Sequence, residues 1–253
     1  MTDAAATDRA AGESGVLAIA HRGDPVTFRE NTVAAIRAAI ETGADVVEID
    51  VKTTSDGVSV VLHDDSLSRL WQVERDIRTM TAAEVAEVAG LEESPDHGIP
   101  TLEEVLQLFT GTSVAVLVDM DSGEWAGAAQ DCVRRAVDAD VLRPRQVIWC
   151  GHLDGMREIR DADPRARIFL SWGEQARGGP PDADLVRALS PEAFNPHWLA
   201  VEAFARDWSR GAGIALSCWT VDDPGDMRRL VEGGVDAMIS NRIRDLLGVL
   251  GRG

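Results

Sequence analysis

Short apolar runs alternate with helical patterns along most of this chain. Most of these runs are rich in Val, Ile or Leu, and all are too brief for a buried helix, which is typical of buried strands. The predicted strands cover residues 16–20, 46–51, 58–62, 113–118, 146–149, 167–170, 193–195, 214–218 and 236–239. The clearest helical patterns cover residues 125–139, 154–161, 182–188, 200–210 and 226–232, with a last one after Arg242. An earlier helix has Asn31 as its predicted N-cap and ends at Gly43.

This order of strand and helix predicts an α/β protein folded as a closed parallel barrel, the TIM (β/α)8 barrel. An open doubly wound sheet is the alternative, but the sequence contains neither a GxGxxG fingerprint nor a P-loop to favour it. The order breaks at residues 66–99, where a charged segment after the second strand predicts a small insertion or lid. We therefore expect one domain over residues 15–253 and a disordered tail over residues 1–14.

Composition narrows the classes of function. The chain has 253 residues and a formal net charge of −18, so we expect no binding to nucleic acid or to an anionic membrane by bulk charge. No apolar run approaches the roughly 20 residues of a membrane-spanning helix, and no signal peptide is evident. The three cysteines are isolated in the sequence, which predicts a reducing, cytoplasmic location. The oligomeric state is left open.

Acidic side chains stand at the ends of two predicted strands. Glu48 and Asp50 are two residues apart and therefore share one face of their strand. Two carboxylates inside a barrel repel one another unless a cation lies between them. A hard divalent ion with oxygen ligands, Mg²⁺ or Ca²⁺, is the predicted occupant. Ion pairing with arginines of the barrel is the simpler alternative.

Two histidines also end apolar runs, and each is followed by a charged residue. His21 and His63 are predicted to act as an acid–base pair, because histidine exchanges protons near neutral pH. Arg22, next to His21, has the forked guanidinium that suits phosphate oxygens. In a barrel of this kind, reactive side chains gather at the carboxyl ends of the strands.

These residues lie within motifs that resemble the glycerophosphodiester phosphodiesterase family. The motifs are HRG and ENT, then ExDVxxTxDGxxVxxHD and IPTLEEVL, and later WTV followed by GVD, between residues 19 and 243. The resemblance implies a TIM barrel with an insertion after the HD motif. It also implies that His21 and His63 are the acid–base pair, that Glu48 and Asp50 bind the metal, and that Arg22 contacts phosphate. Glu30 would be a further active-site acid that contacts the substrate.

The chain departs from the family pattern in two places. Where the family usually has Glu-x-Lys, this sequence has Asp119, Met120 and Asp121. Asp119 remains a predicted metal ligand, but Asp121 replaces a cation that would contact phosphate. Lys52, the only lysine in the chain, shares the face of Glu48 and Asp50, and we expect it, or a second metal held by Asp121, to restore the lost positive charge. A late Thr-Asp of the family is altered here to Ser-Asn at 240–241, with an effect that the sequence leaves open.

The predicted activity is the metal-dependent hydrolysis of small-molecule glycerophosphodiesters to glycerol 3-phosphate and an alcohol, within lipid and glycerol metabolism. Trp219, inside the WTV motif, is the best candidate for the wall of an alcohol pocket; Asp24, Glu174 and the pair His197–Trp198 are weaker candidates at the barrel rim. One alternative is a lyase-like relative that stops at a cyclic phosphate. Another is a degenerate barrel that binds a phosphorylated ligand without catalysis.

Overall fold

The computed structural model describes residues 15–89, 94–173 and 178–252. The predicted disordered tail at 1–14 lies outside these residues, as does Glu174. The strands are β1 (Leu17–His21), β2 (Val46–Thr53), β3 (Ser59–Val61), β4 (Ala115–Met120), β5 (Val147–Gly151), β6 (Arg167–Trp172), β7 (Ala193–Pro196), β8 (Ala215–Cys218) and β9 (Ala237–Ser240). Over the described ranges, eight of them pair in parallel, and β1 closes the ring by pairing with both β9 and β2. The predicted TIM barrel is confirmed.

Helices cover the outside of the barrel and fill the segment after β3. They are α1 (Val33–Thr42), α2 (Ser68–Trp71), α3 (Ala82–Ala89), α4 (Leu102–Gln107), α5 (Ala126–Asp138), α6 (Leu153–Ala162), α7 (Ala183–Leu189), α8 (Arg206–Ala212), α9 (Pro224–Glu232) and α10 (Ile243–Val249). A π-helical stretch, Val201–Ala205, leads into α8. Within the residues that the structure describes, no helix is long and apolar enough to cross a membrane.

Each barrel strand alternates between two apolar environments. Ala20, Val47 and Val118 pack in the large cluster between the strands and the helices. Ile19 and Leu117 belong to a separate, smaller cluster inside the barrel. Because side chains two apart on a strand share a face, the inward row continues from these apolar residues to polar residues at the carboxyl ends. The apolar filling thus supports a polar layer at the mouth of the barrel.

The strand at 58–62 is present but is not part of the ring. It forms β3, which runs antiparallel to β2 with Val51 opposite Val61. His63 follows this hairpin strand rather than a strand of the barrel, so its predicted position at the carboxyl end of a barrel strand is wrong. The hairpin nevertheless returns the chain to the level of Asp50, since the Leu62 N–H donates to the Asp50 carbonyl at 3.0 Å.

Residues 66–99 follow the hairpin and carry α2, α3 and two short 3-10 turns, Ile77–Thr79 and Pro95–His97. Their described apolar side chains, including Leu67, Ile77 and Met80, form a cluster of their own against Val60 and Leu62. The predicted insertion between the second and third barrel strands is therefore anchored on the hairpin. Its behaviour as a lid and the limits of the domain stay predictions.

Two helices at this side of the barrel begin with different kinds of cap. The pair Thr101 and Glu104 forms the reciprocal capping box at α4. At α1 the N-cap is Thr32, whose side chain accepts from the Ala35 N–H, so the prediction of Asn31 is wrong by one residue. Asn31 is instead buried with a left-handed backbone, φ 59°. Its amide is free for a different role in the site.

Candidate active site

Three carboxylates meet where β2 and β4 end. Glu48, Asp50 and Asp119 each place an oxygen within 4.8 Å of the others. The strand register explains the meeting, because Asp50 pairs directly with Asp119 and Glu48 lies two residues earlier on the same inward face. Burial, followed by the charges of Asp50 and Asp119, raises the pKa of Glu48 well above its usual range. Burial and the charge of Asp50 likewise raise the pKa of Asp119 to about 7.

This triad fits a divalent cation. Its three donors are all oxygens, and burial together with the neighbouring carboxylate of Asp50 raises the pKa of both Glu48 and Asp119. Carboxylate oxygens grouped in this way are the ligands that Mg²⁺ and Ca²⁺ prefer. Gly151 leaves space beside the Asp119 carboxylate. It has φ 113°, and a Cβ at this position would lie 2.5 Å from Asp119 Oδ1.

A strained turn after β1 carries Arg22 to the triad. Arg22 has φ 58°, a left-handed conformation that is costly for a residue with a side chain. Its N–H donates to the Glu48 carbonyl at 3.0 Å and to Glu48 Oε2 at 2.9 Å. At Gly23, which has φ 87°, a Cβ would lie 2.5 Å from the backbone of Ala35. The HRG motif is therefore explained by a turn packed tightly against α1.

The Arg22 guanidinium lies between two carboxylates. Its Nη1 donates to Glu30 Oε1 at 2.9 Å, and its Nε lies 3.0 Å from Asp50 Oδ2 as an ion pair rather than a hydrogen bond. Burial opposes the ionisation of Glu30, but the hydrogen bonds from Arg69 and Arg22 outweigh it and lower the pKa. A largely buried guanidinium at the edge of an acidic site is suited to bind an anionic substrate.

His21 lies against the triad on one side and against an amide on the other. Its Nε2 is 3.9 Å from Glu48 Oε2, and its Nδ1 is 2.7 Å from Asn241 Oδ1. Burial, followed by the charge of Arg22, lowers the pKa of His21. The structure thus joins the first predicted histidine to the predicted metal ligands.

His63 occupies a different environment. Its side chain is 45% exposed, and Nδ1 makes a 2.6 Å hydrogen bond with Asp64 Oδ1. Arg69, from α2 of the insertion, donates to Asp64 at 2.5 Å and to Glu30 at 2.6 Å. His63 is therefore linked to Arg22 through a chain of ion pairs. The sequence did not identify Arg69 as part of this chain.

Lys52 and Asp121 contact each other directly. Lys52 is 1% exposed; its Nζ donates to Asp121 and lies 2.9 Å from Asp65 Oδ1. The other oxygen of Asp121 accepts from Trp125 Nε1 at 2.9 Å, and the Trp125 ring lies 5.7 Å from Nζ. Lys52 and Trp125 thus each contact one oxygen of Asp121. The structure brings the expected compensating lysine to Asp121, and the second metal stays a prediction.

Two asparagines belong to the site although the sequence did not assign them a role there. Asn31 Nδ2 donates to Asp50 Oδ2 at 2.7 Å and so orients a predicted metal ligand. Asn241 orients His21 and in turn donates to Asp222 at 2.8 Å. The only sequence signal was positional: Asn31 lies in the ENT motif, Asn241 follows the GVD motif, and its partner Asp222 follows the WTV motif.

The tryptophans divide into packing residues and rim residues. Trp149 and Trp172 are buried in the cluster between barrel and helices, as expected for packing. Trp219 is half-buried, donates from Nε1 to the Asn195 carbonyl at 2.9 Å, and meets the ring of His197 edge-on at 5.4 Å between centroids. Trp219 and His197 thus form an aromatic corner at the ends of β7 and β8.

Comparison with known proteins agrees with this arrangement. The model of the glycerophosphoryl diester phosphodiesterase family matches residues 21–245. A glycerophosphodiester phosphodiesterase of Caldanaerobacter subterraneus is 30% identical over 249 residues, which cover 94% of this chain and 98% of that protein. The chain belongs to this family. The predictions of the family and of a phosphodiesterase enzyme are confirmed.

Solved structures of the family share the fold. The glycerophosphodiester phosphodiesterase of Thermotoga maritima superposes with a TM-score of 0.73 at 25% identity, covering 92% of this chain and 98% of that one. A phosphodiesterase of Oleispira antarctica, solved in complex with the product sn-glycerol-3-phosphate, gives a TM-score of 0.78 at 20% identity, covering 93% and 96% of the two chains.

Proposed function

We propose that this chain hydrolyses glycerophosphodiesters to glycerol 3-phosphate and an alcohol, using a divalent metal and the acid–base pair His21 and His63. The observation that carries the proposal is the convergence of three carboxylates with His21 and Arg22 at one end of the barrel. The glycerol 3-phosphate bound by the relative from Oleispira antarctica supports the same product here. A cytoplasmic location is part of the proposal, and the free thiols of Cys132, Cys150 and Cys218 support it.

Glu48, Asp50 and Asp119 would hold the metal, Mg²⁺ or Ca²⁺. When bound, such an ion supplies positive charge that offsets the charge of the phosphodiester. Arg22 is proposed to contact the phosphate next to the metal, because its guanidinium lies beside Asp50 and is largely buried. Glu30 would hold Arg22 in place and border the substrate.

The two histidines are assigned opposite roles by their partners. His21 is largely buried, faces a neutral amide and lies near Arg22, and these surroundings favour the neutral form of the ring that a base requires. His63 is paired with the carboxylate of Asp64, and a carboxylate stabilises an imidazolium. We therefore assign His21 as the base and His63 as the acid.

The reaction then needs two proton transfers. The attacking group is water or the neighbouring hydroxyl of the glycerol. His21 Nε2 takes the proton of this group while the oxygen of the group bonds to phosphorus. The bond between phosphorus and the alcohol oxygen breaks, and His63 donates its Nε2 proton to that oxygen. Attack by water gives glycerol 3-phosphate directly. Attack by the glycerol hydroxyl gives a cyclic phosphate, which water then opens: His63, now neutral, takes the proton of the water, and His21 returns its proton to the glycerol oxygen that leaves phosphorus. Arg22 offsets the charge that builds on the phosphate oxygens.

Lys52 and Trp219 complete the proposed substrate site. The contact of Lys52 with Asp121 supports a role in cancelling the negative charge that this chain has gained at position 121. Trp219 would border the alcohol of the substrate, where the face of a ring attracts a quaternary ammonium group. Lys52→Met is expected to raise KM, because Asp121 would then repel the phosphate.

The test is turnover of glycerophosphocholine followed by phosphorus NMR, with Mg²⁺ or Ca²⁺ and with a chelator. We expect glycerol 3-phosphate with a metal and none after chelation. His21→Ala and His63→Ala should each abolish most turnover, whereas His97→Ala, in the insertion, should not. A persistent cyclic phosphate would replace the proposal by the lyase. No turnover with any divalent metal and several head groups would instead indicate a binding barrel.

A further inference from the structure

Behind His21 lie two hydrogen-bonded residues that follow neighbouring strands of the barrel. His21 ends β1, Asn241 follows β9, and Asp222 lies in the loop after β8; β9 stands between β8 and β1 in the ring. The ring Nδ1 lies 2.7 Å from Asn241 Oδ1, and Asn241 Nδ2 donates to Asp222 Oδ2 at 2.8 Å. One hydrogen-bonded line thus runs from a carboxylate through an amide to the histidine.

Asp222 determines which end of the Asn241 amide faces His21. An ionised carboxylate only accepts hydrogen bonds, so the amide must turn its NH₂ group toward Asp222. Asp222 is itself fixed, because Oδ1 accepts from the Asn241 backbone N–H at 2.9 Å and from Ser240 Oγ at 3.2 Å. The Asn241 oxygen is therefore the atom that faces the imidazole.

The orientation of the amide determines the tautomer of the ring. An amide oxygen only accepts, so His21 must carry its proton on Nδ1, and the neutral ring then has its lone pair on Nε2. Nε2 is the nitrogen that faces the triad, 3.9 Å from Glu48 Oε2. A carboxylate at position 241 would present an acceptor in either orientation, whereas an amide needs a second residue to choose for it.

We propose that Asp222, acting through Asn241, holds His21 in the Nδ1–H tautomer so that Nε2 is free to accept the proton of the attacking hydroxyl. The proposal rests on the function assigned to His21 above. Asp222 and Asn241 are positioning residues, since neither lies between His21 and the triad. Their loss would act on the tautomer and thereby on kcat, with little effect on substrate binding.

Asp222→Asn is the decisive variant because it keeps the size of the side chain. The oxygen of the new amide is best placed at the Oδ1 position, where it still accepts from the Asn241 N–H and from Ser240. Its NH₂ group then faces the NH₂ group of Asn241. Two donors cannot pair, so Asn241 is expected to turn its amide and present NH₂ to His21. The ring must then accept on Nδ1 and carry its proton on Nε2.

The double variant Asp222→Asn with Asn241→Asp should reverse this effect. The introduced carboxylate accepts both from the new amide and from His21 Nδ1–H, which restores the tautomer with the donor and acceptor exchanged. Asp226→Asn is the matched control, because it removes one carboxylate from the neighbouring helix α9, where Asp226 pairs with Arg229 at the surface.

Two readouts separate the proposal from the function on which it rests. The tautomer is read from ring ¹⁵N shifts of metal-free protein at about pH 8, where the ring is neutral; His21→Gln identifies its signal among the five histidines of the chain. We expect Nδ1–H in the native protein, Nε2–H in Asp222→Asn, and Nδ1–H again in the double variant. In Asp222→Asn, kcat should fall by about tenfold or more, and in the double variant it should largely recover. The KM of both variants should stay within about twofold of the native value.

An Nε2–H ring in the native protein, or one unchanged by Asp222→Asn, would overturn the proposal. An inverted ring with unchanged kcat would support the control of the tautomer by Asp222 but overturn the role of His21 as the base. A fall in kcat without rescue in the double variant, or an equal fall in Asp226→Asn, would also overturn it.

Discussion

The two histidines of the site stand in contrasting surroundings. His21 ends a barrel strand, is 18% exposed, and has a neutral amide on Nδ1. His63 follows the β2–β3 hairpin, is 45% exposed, and has a carboxylate in the same position. Two identical side chains in one site thus have hydrogen-bond partners of different charge, a neutral amide for His21 and a carboxylate for His63. In the proposed mechanism, the partner of the ring nitrogen that does not react is what distinguishes the acid from the base.

The same contrast extends to the regions around them. The His21 region is a layer of the barrel in which three carboxylates lie close together. The His63 region is an ion-pair chain at the surface, in which Arg69 links the insertion to Asp64 and Glu30. The barrel region therefore suits metal binding and proton abstraction, and the hairpin region suits protonation of an alcohol that leaves toward solvent.

The largest expected effect tests the roles of the two histidines by changing the leaving group. His21→Ala should lower kcat by about 10²- to 10⁴-fold on both glycerophosphocholine and a p-nitrophenyl phosphodiester, because either substrate needs a base. His63→Ala should lower it as strongly on glycerophosphocholine but far less on the nitrophenyl ester, whose leaving group needs no acid. Steady-state kinetics on both substrates measure this. Equal losses on the two substrates for His63→Ala would contradict its assignment as the acid.

A moderate effect is expected when the hairpin region alone is disturbed. Arg69→Met removes the cation shared by Asp64 and Glu30 and should reduce kcat/KM by about tenfold, similar to the loss of an outer-shell partner. The affinity for metal, measured by calorimetry, should stay within about twofold of the native value. Arg75→Met, which breaks an ion pair with Glu84 elsewhere in the insertion, is the control. A large loss of metal affinity in Arg69→Met would show that the two regions are not separate.

The smallest effect is expected on thermal stability, when one carboxylate in each of the two regions is replaced. The protein is kept free of metal by a chelator. The folded pKa of Asp119 is raised to about 7, so folding binds an extra proton and stability falls as pH rises from about 4 to about 7. Asp119→Asn should therefore raise Tm by a few degrees at pH 8 and leave it unchanged near pH 4.

Replacement of Asp64 should change Tm in the opposite direction. Burial opposes its ionisation, but hydrogen bonds from Arg69 and His63 outweigh this and lower its pKa in the folded protein. The stability from Asp64 is present above its unfolded pKa and is lost as pH falls through the folded value. Asp64→Asn should therefore lower Tm slightly at pH 8 and not at low pH. Thermal melts at the two pH values check both variants, and a shift of the same sign in both would contradict the contrast.

Much of this molecule was predictable from local pattern. The alternation of short apolar runs with helical segments predicts the barrel, because each strand must bury both faces and each helix one. Spacing by two places Glu48 and Asp50 on one face, and the ends of β2 and β4 then bring Asp119 to them. The acid–base, metal and phosphate roles of these residues remain predictions, carried by motifs within a confirmed family.

The structure corrected what local pattern could not distinguish. The run at 58–62 looks like any other buried strand, yet it pairs antiparallel with β2 outside the ring, because pairing depends on which neighbour a strand meets. Asn31 and Thr32 are both good caps by residue type. Burial beside Asp50 separates them, since the Asn31 amide is needed to satisfy that carboxylate.

The sequence by itself determined which residue types could do the chemistry and on which strands they lie, because strand periodicity and motif spacing are local properties. Only the tertiary structure decided what each functional group faces. Lys52 neutralises Asp121, and Asp222 reaches His21 through Asn241 across three strands. Hydrogen bonds and charge pairs act over a few ångströms of space, and residues 21 and 241 become neighbours only when the barrel closes between β9 and β1.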